Sequence, residues 1–186
     1  MSRVLDIVLA AIGLVLTAPL VLIAAAAIKL DSQGPVIYRQ RRVGRDGQQF
    51  QVYKLRTMRP GADPVGVGTP VLEDDPRVTR VGRLLRRFSL DETPNLVNVL
   101  RGELAIVGPR PTLPAQVELY TERQRRRLEV KPGITGWAQV NGRAGIPWEE
   151  RIELDIWYVD NRSLALDVRI LARTARLLLS GHGLYG

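Results

Sequence analysis

Two adjacent carboxylates, Asp91 and Glu92, sit within Arg86-Arg87-Phe88-Ser89-Leu90-Asp91-Glu92-Thr93-Pro94-Asn95, between a basic segment and an apolar one. The chain has 27 Lys and Arg against 19 Asp and Glu, a net charge of +8, so an acidic pair placed among arginines needs a reason. With no cysteine, and one histidine, His182, in a glycine-rich tail, thiol chemistry and a His-based triad are set aside. Nucleophile or general-base work then falls to carboxylates, and any metal is expected to be a hard ion such as Mg²⁺ or Mn²⁺.

Local pattern gives the pair two structural settings. Ser89-Leu90-Asp91-Glu92 spells Ser-x-x-Glu, a helix-capping pattern, and acidic residues suit the positive end of a helix. Pro94 argues against that register, because it would fall inside the helix where its missing N–H is needed. With Thr93 as the cap, Pro94 takes the first helical position and Asp91 and Glu92 lie in the turn before it. A purely structural role for the pair stays open on these grounds alone.

The positions of the cations suggest how they could be brought in. Gln49 to Arg56 reads as a strand, joined to Val36-Ile37-Tyr38 through Gly44-Arg45-Asp46-Gly47, a hairpin signal. A period of two puts Phe50, Val52, Lys54 and Arg56 on one face, either carrying two cations into a pocket or forming a solvated edge. Gly108-Pro109-Arg110-Pro111 is a stiff turn whose prolines pre-aim one guanidinium, suited to phosphate. Pro114 to Val130 reads as one helix with the Arg125-Arg126-Arg127 run as a solvated face. Residues 59–75, rich in proline and glycine, read as a loop and a candidate lid.

At 186 residues, 45% hydrophobic and 25% charged, the chain fits one globular domain with a real core. From Ile7 to Ile28 it carries no charge, and about 22 helical residues reach roughly 33 Å, enough to cross a bilayer core. Pro19 falls near the middle and predicts either a kinked spanning helix or a re-entrant helix-break-helix. Lys29, Arg39, Arg41, Arg42 and Arg45 follow the run against Arg3 before it, which places the globular part in the cytoplasm. Val78 to Phe88 reads as an amphipathic helix that could lie on a membrane surface or simply cap a core, and Leu164 to Leu179 as a second candidate for the headgroup layer. Trp148 to Tyr158 also reads as helical, its aromatics belonging either at a membrane interface or in a core.

An ordered set of motifs then makes the chain resemble the bacterial sugar transferase family, the monotopic phosphoglycosyl transferases. The stretches are Asp6-Ile7-Val8, Gly34-Pro35-Val36, Arg39-Gln40-Arg41-Arg42-Val43-Gly44, Tyr53-Lys54-Leu55-Arg56-Thr57-Met58, Asp74 to Arg80, Ser89-Leu90-Asp91-Glu92, Gly108-Pro109-Arg110-Pro111 and Pro132 through Arg143. The resemblance implies an α+β fold: a re-entrant membrane hairpin over residues 1–30, then a small cytoplasmic catalytic domain over 31–186 with interfacial helices and a short β-hairpin. It implies transfer of a sugar 1-phosphate from a UDP-sugar to polyprenyl phosphate at the bacterial inner membrane, releasing UMP. Asp91 would be the covalent nucleophile, Glu92 and Asp91 the holders of Mg²⁺, and Lys54, Arg56, Arg86, Arg110 and Arg143 the phosphate-binding cations. Two departures stand out: Ala18-Pro19 replaces the family's Ser-Pro break, and the chain resembles the minimal catalytic form without a multi-spanning leader.

Two rivals remain. A basic anion or nucleic-acid binder would interleave arginines with exposed aromatics, but aromatics are 5% and follow no such pattern, so no nucleic-acid partner is expected. A non-catalytic membrane adapter keeping the same fold would not depend on the Asp91 carboxylate.

Overall fold

A computed structural model describes residues 1–62, 75–142 and 145–179. It is α+β. The lid expected within 59–75, Arg143 and His182 fall wholly or mostly outside the described residues.

The apolar run forms a single helix, α1 (Arg3–Asp31), capped by the Ser2 hydroxyl accepting from Leu5 N. The expected helix-break-helix is corrected here: Pro19 lies inside a continuous helix. Thr17 does not rescue the carbonyl that Pro19 leaves free, because its hydroxyl donates to Gly13 O (2.7 Å). Such back-bonding bends a helix without ending it.

Both ends of α1 nevertheless return to the same globular body. Near the start, Arg3 donates to the carbonyls of Val99 and Leu100, Asp6 Oδ1 accepts from Ile106 N (3.0 Å), and Ala10 is fully buried. Near the end, Ala24 and Ile28 pack with Leu55 and Leu85, and Asp31 accepts from Val81 N (3.1 Å). Between these anchors Val15, Leu16, Leu20, Leu22 and Ile23 are exposed, an apolar surface that water does not favour.

The antiparallel hairpin is β1 (Ile37–Val43) and β2 (Gln49–Leu55), in register from Ile37↔Leu55 to Val43↔Gln49. Asp46 (φ 55°) and Gly47 (φ 78°) both take left-handed backbone, which is why Asp-Gly closes this turn. After α2 (Arg80–Arg87), capped by Thr79, comes a 3₁₀ turn, Leu90–Asn95, running directly into α3 (Leu96–Arg101). Neither expected cap forms. Ser89 is left-handed and makes no side-chain cap bond, while the Thr93 hydroxyl donates back to Leu90 O (2.8 Å) and Pro94 lies within the 3₁₀ turn.

β3 (Ala105–Val107) pairs in parallel with β4 (Gly133–Thr135), which joins two of the quoted motifs. Glycine is required here by close approach: a Cβ on Gly136 would lie 2.1 Å from Gly108 O, and one on Gly108 would lie 2.4 Å from Lys131 O. The single helix expected over Pro114–Val130 is instead α4 (Pro114–Glu118), α5 (Glu122–Arg125) and a 3₁₀ turn, Arg126–Leu128. Two interactions break it: Tyr120 turns inward to meet Thr112, and Thr121 and Gln124 form a reciprocal cap that restarts the helix.

α6 (Trp137–Asn141) precedes α7 (Trp148–Asn161) and α8 (Leu164–Leu179). α7 is a core helix, with Ile152, Ile156 and Tyr158 buried, and its Trp157 stacks on Trp137 at 4.9 Å. α8 buries Leu166, Asp167 and Ile170 and exposes Leu164 and Val168. The main core joins Ala10 of α1 with Val99, Leu104, Ile106, Tyr158, Leu166 and Ile170, so the apolar helix is built into the domain.

Candidate active site

The acidic pair is held by the edge of β2. Asn95 Oδ1 accepts from Tyr53 N (3.0 Å) and Asn98 Nδ2 donates to Gln51 O (2.6 Å), so two side chains take ladder positions that a further strand would fill. This docking carries Asp91 and Glu92 against Lys54, and both carboxylates are buried at 8% exposure. Prolines, glycines and the β3–β4 pairing bring the 108–111 turn in from the other side.

The two carboxylates are treated in opposite ways. Glu92 Oε1 accepts from Lys54 Nζ (2.6 Å) and from Arg110 Nη2 (2.8 Å). Those cations hold Glu92 well below the usual carboxylate range, Arg110 more strongly than Lys54, overcoming the burial that acts against the charge. The Asp91 carboxylate accepts no hydrogen bond from any described residue. Burial and the adjacent Glu92 charge push it up, and Lys54, Arg86 and Arg110 offset this only in part. Lys54 is itself lowered by burial, against the pull of Glu92.

Of the expected cations, Lys54 and Arg110 meet at Glu92, and Arg86 acts on Asp91 through space while its Nε donates to the Thr57 hydroxyl (2.9 Å). Arg143 lies outside the described residues. Arg56 is a correction: it turns from the pair toward the end of α1, donating to Ser32 O (2.7 Å) and Ser32 Oγ (3.0 Å). It lies one residue past β2, where the strand's alternation no longer applies, and it caps the free carbonyls of a helix C-terminus.

Two site residues escaped the sequence reading. Arg42 is gripped by Gln40 Oε1 (2.6 Å from Nη2), donates to Pro111 O (3.1 Å), and is pushed down to about 10 by burial and then by Arg110. Alternation along β1 puts Gln40 and Arg42 on one face, which was the available signal. Arg127, expected on a solvated face, is 5% exposed and donates to Arg110 O (3.1 Å).

Among the described residues no three acidic or histidine side chains gather as a metal cage. The donors present still fit Mg²⁺ in its usual manner, one or two carboxylates completed by water and substrate phosphates. Glu92 Oε2 and Asp91 are the oxygens left for it. Chemically, the site offers a carboxylate that accepts no hydrogen bond from any described residue, beside cations of the kind that suit an anionic ligand.

The sequence matches the family model described as Bacterial sugar transferase over residues 1–181. It is 47% identical over 184 residues to "Uncharacterized sugar transferase EpsL" of Bacillus subtilis, covering 99% of this chain and 90% of that one. It is also 47% identical over 192 residues to the "UDP-glucose:undecaprenyl-phosphate glucose-1-phosphate transferase" of Caulobacter vibrioides, covering 99% and 72% respectively. To the "Undecaprenyl-phosphate galactose phosphotransferase" of Salmonella typhimurium it is 38% identical over 199 residues, covering 100% and 42%. With a buried Asp-Glu pair cradled by Lys54 and Arg110 and a family match over almost its whole length, the chain belongs to the bacterial sugar transferase family.

Proposed function

We propose that this protein transfers a sugar 1-phosphate from a UDP-sugar to a polyprenyl phosphate, through a covalent intermediate on Asp91. Family membership and the names of the relatives support the donor and acceptor classes. The observation that carries the covalent step is the division of labour in the pair: Glu92 takes both Lys54 and Arg110, and Asp91, buried beside it, accepts no hydrogen bond from any described residue.

In the first step an Asp91 oxygen attacks the donor's β-phosphorus. The bond from that phosphorus to the bridging oxygen breaks, and its electron pair leaves with UMP. In the second step a polyprenyl phosphate oxygen attacks the same phosphorus, which restores the Asp91 carboxylate and frees the lipid-linked sugar. Lys54 and Arg110, pinned by Glu92, and Arg86 beyond them offset the repulsion between an anionic nucleophile and an anionic phosphate. Glu92 and Asp91 are the residues that would hold Mg²⁺, which when bound would supply charge neutralisation to the phosphates. A panel of UDP-sugars, with polyprenyl phosphate and Mg²⁺, should show UMP release for one sugar class, silenced by EDTA. No release with any donor would contradict the reading, and full activity in chelator would remove the metal from it.

We also propose that α1 lies in the inner membrane as one continuous helix whose two ends, with Met1 and the globular domain, stay on the cytoplasmic side. The support is that Arg3 and Asp6 at one end of α1, and Ile28 and Asp31 at the other, all bond or pack against one globular body. A spanning helix would carry one of those anchored ends to the far side of the bilayer, away from the body it bonds to. Cysteine placed at Ser2 of this cysteine-free chain should react with a membrane-impermeant thiol reagent only after cell lysis; labelling of intact cells would mean a spanning helix.

A further inference from the structure

Arg127 and Asp155 form an ion pair sealed from solvent, Nη2 to Oδ2 at 2.5 Å, with side chains 4% and 3% exposed. Stability is a weak reason for such a pair, since desolvating both ions costs about as much as their attraction returns. The other bonds of the same guanidinium point to a different reason. Arg127 Nη2 also donates to the backbone carbonyl of Arg110 (3.1 Å), and Nη1 donates to the Tyr120 hydroxyl (2.5 Å). That hydroxyl lies 2.9 Å from Thr112 Oγ1. One side chain thus grips Arg110 directly and Thr112 through Tyr120, while Arg42 holds the carbonyl of Pro111 between them.

We propose that Arg127, fixed by Asp155, is a positioning residue that sets where the Arg110 guanidinium stands over Glu92 and the reacting phosphate. The connection is continuous: Asp155 on α7 holds Arg127, Arg127 holds the Arg110 backbone, and Arg110 Nη2 holds Glu92 Oε1 at 2.8 Å. Trp148 supports it from the side, its ring 5.6 Å from the Arg127 guanidinium carbon. This role rests on the transferase reading, because only there does the placement of Arg110 become a rate. A shift of about 1 Å in a positioning group can cost roughly 100-fold in turnover, so a buried strut behind one cation matters.

The test is a double-mutant cycle on the full-length protein in membranes or detergent, assaying UMP release at saturating UDP-sugar and lipid. The double variant Arg127→Met/Asp155→Leu replaces both charges of the pair with apolar side chains, so neither of the two is left buried without the other. It should remain folded by circular dichroism and lose about tenfold or more in kcat. In an Arg110→Met background the same double change should alter kcat by less than about twofold, because the group it positions is gone. Arg127→Lys, which keeps a charge for Asp155 but has a single nitrogen to share, gives a second cycle should the double variant fail to fold, and the same non-additivity is expected. Equal losses in both backgrounds, or no loss in the wild-type background, would overturn the proposal while leaving the transferase reading intact. Absence of UMP release from the wild type would contradict the transferase reading, and the proposal with it.

Discussion

Asp91→Asn should abolish turnover while making the protein more stable at neutral pH. An amide cannot serve as the covalent nucleophile, so UMP release should fall by roughly four orders of magnitude or more, the scale seen when a covalent nucleophile is removed. Stability moves the other way because burial and the Glu92 charge raise the Asp91 pKa in the folded state. Below the unfolded carboxylate value, near about 3.9, the side chain is protonated in both states and costs nothing. As pH rises toward and through the raised folded value, ionisation favours the unfolded chain and wild-type stability drops relative to the asparagine variant. Glu92→Gln carries the opposite sign: its depressed pKa contributes stability above the unfolded value near about 4.3, and this is lost as pH falls through the folded one. Thermal unfolding at pH 7 should therefore rank Asp91→Asn above wild type and Glu92→Gln below it. The reverse order would mean that the pair's electrostatics are misassigned.

Lys54→Met and Arg110→Met should each lower kcat by about 100- to 1,000-fold, the size of effect found when one donor to a developing negative charge is removed. Each cation holds Glu92 in place and, in the proposed mechanism, also meets the phosphate, so loss of either leaves Glu92 Oε1 with one partner where it had two. Arg125→Ala, in the same arginine run as Arg127 but exposed, should stay within about twofold of wild type. Steady-state UMP release on the three variants checks this, and equal losses in all three would point to a diffuse basic surface in place of a built site.

The acidic pair was legible because it contradicts the charge of everything around it, and the hairpin because Asp46-Gly47 can close a turn that few dipeptides can. Lys54 and Arg110 were legible for local reasons, a strand face and a proline-stiffened turn. Arg56 misled because alternation holds only while the strand lasts, and one residue past Leu55 the chain turns to the carbonyls ending α1. Arg127 was hidden in a run of three arginines, where nothing local says which side chain points inward. That choice is made by Tyr120, Asp155 and the Arg110 carbonyl, 7, 28 and 17 residues away in sequence. The Pro19 break failed for a comparable reason. Local chemistry removes one helix bond there, but packing at Ala10 and Ile28, on either side, holds the two halves to one domain.

The covalent step is the centre of the account, and intact-protein and peptide mass spectrometry after incubation with UDP-sugar and no lipid acceptor tests it most directly. The account predicts about one UMP released per protein molecule and a sugar-phosphate mass on the peptide carrying Asp91. That adduct should be absent in Asp91→Asn and should disappear when polyprenyl phosphate is added. UMP released only when both substrates are present, with no adduct on Asp91, would contradict it and assign the transfer to direct displacement.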